Sequence, residues 1–183
     1  MSTTDFWSWK NMLSKKELIK LHKTVQAKYT KNYKDRPAER SKKVASVKGI
    51  QYCHVKDQLS DICQRVYSAN NYHFGYNLYE INAFDNFLYT EYDSKHKGEY
   101  DWHVDGSNNY INDVKLTMLI NTSLNKYEGG DFLFFLGKPT LIKEFQNPGD
   151  VIIFKSSIYH KVTPLTKGSR SSLAFFLTGP RLL

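Results

Sequence analysis

From about Tyr76 onward the chain is a succession of short β-prone runs broken by turns, with no long helical-period stretch between them. The candidate strands are 76–81, 86–92, 99–105, 114–121, 131–136, 140–145, 150–154, 159–163 and 171–178. Glu128-Gly129-Gly130-Asp131 and Asn147-Pro148-Gly149-Asp150 carry the residues that tight turns require. Many short strands without crossover helices argue against a parallel α/β sheet and imply a sandwich or barrel. The 13 Tyr, 11 Phe and 3 Trp against 3 Met agree, because flat rings suit a pleated, half-buried surface.

The N-terminal region, 1–75, has a different character. Ser14 followed by Glu17 forms a capping box, and Leu13 with Leu18 a hydrophobic staple. Leu18, Leu21, Val25 and Tyr29 continue at helical spacing as the stripe of a helix lying on a sheet. The stretch 31–48 is polar, basic and interrupted by Pro37, and reads as a long or mobile loop. Leu59, Ile62, Cys63 and Val66 mark a second amphipathic helix that ends near Asn70 and Asn71. The prediction is one domain over 1–183, mainly β, in which a double-sheet jelly roll at 76–180 is supported on one sheet by the N-terminal helices.

Charge is uneven. Residues 1–56 hold 14 Lys/Arg against 4 Asp/Glu, whereas the other 127 hold 12 against 14. Such a basic third suits an acidic partner such as nucleic acid, or is a solvated lysine-rich surface, and both readings stand open here. Cys53 and Cys63 have no ligand-spaced partner cysteine, which removes a structural zinc site, and they are expected to be reduced. No apolar run approaches the roughly 20 residues of a membrane span, and Met1–Lys10 lacks the pattern of a signal peptide, so the expected compartment is the cytoplasm, with no membrane partner.

The chemistry-bearing residues cluster in the C-terminal half. Tyr100-Asp101-Trp102-His103-Val104-Asp105 ends a predicted strand, where residues i and i+2 share a face, so His103 and Asp105 can meet one ion. Alone this pair is weak: 6 His and 11 Asp in 183 residues give it by chance roughly 0.4 times. A second imidazole must come from elsewhere, and His160 is the only histidine after Asp105. One carboxylate and two imidazoles make the facial triad of non-haem iron(II) oxygenases. Ten residues later Arg170 heads an apolar strand, where a guanidinium pointing inward needs an anion, and its planar fork matches a carboxylate.

These pieces together resemble the 2-oxoglutarate and iron(II) dioxygenase superfamily, in its prolyl 4-hydroxylase-like branch. The resemblance covers Asn86–Pro180 and is carried by the Tyr92–Asp105 segment, Lys115-Leu116-Thr117-Met118, Tyr127-Glu128-Gly129-Gly130-Asp131-Phe132, Pro148-Gly149-Asp150, and His160 through Gly168-Ser169-Arg170-Ser171-Ser172-Leu173. It implies a cupin-like double-stranded β-helix, with iron(II) on His103, Asp105 and His160 and no catalytic side chain beyond these ligands. It implies 2-oxoglutarate held by Arg170, by Tyr92 or alternatively Tyr89, by Ser172 and, more weakly, by Thr117. Tyr100, Trp102 and Phe154 are expected to wall the pocket. The reaction implied is hydroxylation using O2, with release of succinate and CO2 and ascorbate as reductant. A prolyl residue in a protein or peptide is the expected substrate; a nucleic acid, a free amino acid or another peptidyl residue is the alternative. A jelly-roll binding module that holds metal without turnover is a third reading.

Overall fold

The computed structural model describes residues 4–33, 43–106 and 112–181. In chain order the elements are β1 (Phe6–Trp9), α1 (Lys15–Lys28), β2 (Lys31–Tyr33), β3 (Lys43–Val44), β4 (Ser46–Gln51), α2 (Tyr52–Ala69), β5 (Asn86–Asp93), β6 (Glu99–His103) and β7 (Asn112–Asn121). They continue as β8 (Glu128–Gly129), β9 (Phe132–Phe135), β10 (Pro139–Leu141), β11 (Val151–Lys155), β12 (His160–Val162), β13 (Leu165–Lys167) and β14 (Ser169–Pro180). Among the described residues no helix is long and apolar enough to cross a membrane.

A seven-stranded sheet in the order β1-β11-β7-β14-β5-β4-β2 faces a five-stranded sheet, β10-β9-β12-β6-β3, and β13 pairs with β8 in a short ribbon. This is the double-stranded β-helix the turn pattern predicted. Period-two alternation divides the long strands between two cores. Phe87, Tyr89, Leu116, Met118, Ile120, Leu173, Phe175 and Leu177 face Leu18, Leu21, Val25, Val55, Leu59 and Ile62 of the helices. Tyr92, Ile152 and Phe154 turn the other way, against Phe132, Phe134 and Val162 of the smaller sheet.

Helix α1 starts where its capping box lies: the Glu17 amide donates to Ser14 Oγ at 3.3 Å, and the Ser14 amide donates to the Glu17 carboxylate at 2.7 Å. The Ser14 hydroxyl, which donates to the Glu17 carboxylate at 2.6 Å, and then the Ser14 amide hold that carboxyl below its ordinary 4.5. Its contribution is therefore complete above that value and lost as pH falls through the lower folded pKa. Ser14→Ala is expected to cost about 1 kcal/mol at neutral pH, read as a lowered denaturant midpoint with unchanged slope.

Three expectations are corrected. Residues 76–81 form no strand, because side chains take the backbone groups a neighbour would need. Asn70 bonds both the N–H and the carbonyl of Tyr76, and the Tyr67 hydroxyl donates to the Tyr79 carbonyl while accepting from the Ile81 amide. The 31–48 stretch is not a loop at its ends: β2 pairs with β4, and β3 with β6. Lysines suit such sheet-edge strands, and their polarity hid the alternation of buried Ala45 and Val47 with exposed Ser46 and half-buried Lys48. Pro37 and the rest of 34–42 lie outside the described residues. Tyr29 follows the last turn of α1 and is exposed, so the buried stripe ends at Val25.

Candidate metal and cosubstrate site

Strands β6 and β12 place His103 and His160 directly opposite one another. Asp105 follows β6, anchored by its amide donating to the Ser156 carbonyl at 3.0 Å. One ligand atom from each of the three side chains lies within 4.8 Å of the others. Both imidazoles are oriented alike: Nδ1 of His103 meets the Asp101 carbonyl at 2.7 Å and Nδ1 of His160 meets the Ile158 carbonyl at 2.8 Å. A carbonyl only accepts, so each Nδ1 carries a proton, and in the neutral ring Nε2 presents its lone pair. Those Nε2 atoms stand 3.6 Å and 3.4 Å from the two oxygens of Asp105. Lone pairs turned on a carboxylate repel it unless a cation lies between them, which is the condition a metal ion meets.

Burial pushes the His103 imidazole down to about 3, helped by His160 beside it. Burial also raises the Asp105 carboxyl, opposed by His160 and by Thr117. The first shift has a measurable consequence for metal-free protein. Unfolded His103 takes a proton near 6.5 and folded His103 refuses it down to about 3, so its contribution is complete above 6.5 and is lost as pH falls. Denaturant unfolding between about pH 7 and about pH 5 should show a slope from this group of up to about 1.4 kcal/mol per pH unit, which His103→Gln flattens.

Arg170, on β14, is paired across the sheet with Tyr92 on β5. It is 2% exposed, yet its Nε and Nη1 have no hydrogen-bond partner among the described residues. Its guanidinium carbon lies 5.5 Å from the ring centre of Tyr92 and 5.9 Å from that of Phe145. Burial raises the Tyr92 phenol, with Arg170 opposing it. The Gly129-Gly130 turn supports this arrangement, because at Gly130 (φ 65) an added Cβ would fall 2.5 Å from Leu165 Cδ1 and 3.1 Å from Arg170 Cδ.

The triad and the arginine line one narrow cavity of ≈ 60 Å³ between the sheets, together with Tyr92, Tyr100 and Ser172. Strand alternation separates the two candidate tyrosines: Leu88, Thr90 and Tyr92 face the cavity, whereas Tyr89 faces α1, its hydroxyl 3.0 Å from His22 Nδ1. Three expected residues stand elsewhere. Thr117 donates to Asp105 Oδ2 at 2.8 Å, so it orients that carboxylate and is not among the cavity-lining residues. Phe154 is fully buried behind His160, edge-on to its ring at 4.9 Å. Trp102 projects to the face opposite His103 and stacks on Tyr159 at 5.4 Å. Residues missed at the sequence level include Thr90, Ala174 and Phe176, which two-residue steps from Tyr92 and Arg170 would have found. Phe132 and Lys43 also line the cavity, and neither had such a signal.

Known proteins agree with this architecture. The family model of the 2OG-Fe(II) oxygenase superfamily matches residues 87–178, half of the chain. A PKHD-type hydroxylase of Synechococcus sp. is 38% identical over 74 residues, which cover 39% of this chain and 32% of that protein, so the match spans about a third of the relative's length. A Pseudomonas putida prolyl-4-hydroxylase superimposes with a TM-score of 0.71 at 16% identity, over 99% of this chain and 95% of its own. A Trichoplax adhaerens prolyl hydroxylase, solved with a peptide fragment of the hypoxia inducible factor oxygen degradation domain, gives 0.67 at 16% identity, over 96% and 84%. At such identities the two structures speak for the fold, and the matched segment speaks for the family: the chain belongs to the 2OG-Fe(II) oxygenase superfamily.

Proposed function

We propose that this chain, as a single catalytic domain, is an iron(II)- and 2-oxoglutarate-dependent hydroxylase. In this reading His103, Asp105 and His160 hold the iron, and Arg170 holds the far carboxylate of 2-oxoglutarate with Tyr92 and Ser172 beside it. The observation that carries the reading is the buried guanidinium of Arg170, with Nε and Nη1 unsatisfied among the described residues, in the cavity the three ligands share. Unpaired buried donors cost free energy, and a carboxylate would satisfy them. The ligand set suits a hard to borderline divalent ion, and its two outward lone pairs are already oriented. When bound, iron(II) supplies oxygen activation at the expense of 2-oxoglutarate, which leaves as succinate and CO2, with ascorbate keeping the metal reduced. The protein's part is to orient: Thr117 sets Asp105, the Asp101 and Ile158 carbonyls set the imidazoles, and Leu88, Leu119, Phe132 and Val162 exclude water.

For the substrate we propose a prolyl residue in a protein or peptide, supported by the prolyl hydroxylases that share the fold, one of them solved with a peptide. Incubation with iron(II), ascorbate, 2-oxoglutarate and proline-containing peptides should yield succinate and a gain of one oxygen on proline. Succinate without oxidised proline would redirect the substrate, and no succinate with any candidate would defeat the hydroxylase reading. Exposed Lys15, Lys16, Lys20, Lys23 and Lys28 on α1 support a second reading, the same chemistry on nucleic acid. Oligonucleotide binding that does not weaken with salt would exclude it.

A further inference from the structure

Strand β6 carries one residue more than its neighbour allows. Across the pairing with β12, His103 stands opposite His160 and Tyr100 opposite Val162, so two steps along β12 are matched by three along β6. Three steps on a regular strand would put Tyr100 and His103 on opposite faces. The extra residue makes a β-bulge, which re-aims side chains, and here both residues line the cavity. Their rings lie one on the other, with centres 3.4 Å apart and planes 16° from parallel. The bulged stretch Asp101-Trp102 supplies a second contact, because it is the Asp101 carbonyl that meets His103 Nδ1 at 2.7 Å.

The two imidazoles are therefore held in different ways. His160 is enclosed by Phe132, Phe134 and Phe154, whose rings stand steeply to its own at 5.7, 6.4 and 4.9 Å. His103 meets the Tyr100 ring face to face and the His160 ring at a tilt of 54° and 4.1 Å. A hydrogen bond at Nδ1 fixes one edge of an imidazole, but rotation about Cβ–Cγ is a broad torsion, and the plane can still rock. A flat ring laid on its face removes that freedom, and the plane decides where the Nε2 lone pair points. Tyr100 is itself backed: with His103 against one face, Lys43 Nζ lies over the other, 4.5 Å from the ring centre.

We propose that Tyr100 is a positioning residue: carried onto His103 by the bulge in β6, its ring fixes the plane of that imidazole so that Nε2 is aimed before the metal binds. This role rests on the reading that His103, Asp105 and His160 hold iron(II), and it gives Tyr100 a task beyond walling the cavity. An imidazole already aimed loses less freedom when the ion arrives, so the tyrosine tightens the metal without touching it.

The test uses the full chain without oxygen and without 2-oxoglutarate, so that the cosubstrate plays no part. Iron(II) affinity reports how well the metal is held, and the visible absorption of bound cobalt(II) reports the geometry of its ligands. Tyr100→Leu, which keeps apolar bulk but no flat face, should lower iron(II) affinity roughly tenfold or more and alter the cobalt(II) spectrum. Tyr100 also interacts outside this stack, and Tyr100→Phe separates the ring from the hydroxyl. That variant should keep the affinity and the spectrum of the unaltered chain. Denaturant unfolding of the metal-free variants reports the fold; if Tyr100→Leu does not fold, Tyr100→Met, with an unbranched chain that fills irregular space, takes its place. Unchanged affinity and spectrum in the leucine or methionine variant would overturn the proposal, as would a loss in Tyr100→Phe equal to that in Tyr100→Leu. A lowered unfolding midpoint with an unaltered cobalt(II) spectrum would mean that the ring only fills space, which again overturns it. Failure of the underlying reading shows separately, as metal binding that is indifferent to Asp105→Ala.

Discussion

Replacing Arg170 with methionine is expected to weaken 2-oxoglutarate binding by roughly a hundredfold or more and to leave the cosubstrate-free fold no less stable than before. The two effects have opposite signs because the guanidinium is poorly satisfied until an anion arrives. It is 2% exposed, two of its three nitrogens lack partners among the described residues, and its neighbours are the rings of Tyr92 and Phe145. Methionine fills comparable space with an unbranched apolar chain and removes the cost of burying the charge. The variant should show a raised KM for 2-oxoglutarate and an equal or higher denaturant midpoint. A stability lowered by about 3–5 kcal/mol would mean that Arg170 already has its partner in the protein and awaits no ligand.

Asp105→Ala is expected to abolish turnover. It removes the only carboxylate among the three converging side chains, and with it the charge that helps neutralise a divalent ion. The loss of metal affinity should exceed that of Thr117→Val, which keeps the side-chain shape and deletes the 2.8 Å hydrogen bond to Asp105. Outer partners of this kind are worth roughly 10–100-fold in metal affinity or activity. The ordering of the two variants, measured as iron(II) affinity without oxygen, separates holding the metal from orienting its ligand.

Much of this site was legible because strand geometry is simple. A period of two brings His103 and Asp105 to one face whatever the rest of the fold does, and an arginine heading an apolar strand announces an anion. The same rule, applied to Trp102, would have sent it to the opposite face from His103, where it is found stacked on Tyr159. Tyr92 and Tyr89 could not be separated before the face of β5 that meets α1 was known, since a run of aromatic residues gives no in-or-out contrast. The strands β2, β3 and β4 were hidden for the opposite reason, because each has a lysine among its few apolar residues, which blurs the alternation that betrays a strand. Lys43 shared that concealment: its place in the cavity depends on pairing with a strand more than fifty residues away. Residues 76–81 had strand-like composition, and lost the strand to hydrogen bonds from Asn70 and Tyr67 that no local pattern encodes.

The central claim, that one cavity holds iron on His103, Asp105 and His160 and 2-oxoglutarate on Arg170, is tested most directly by measuring the amounts of iron(II) and 2-oxoglutarate bound per chain in the absence of oxygen. The account predicts one of each, with Asp105→Ala losing the metal and Arg170→Met losing the 2-oxo acid while keeping the metal. Full binding of 2-oxoglutarate by Arg170→Met, or undiminished iron binding by Asp105→Ala, would contradict it.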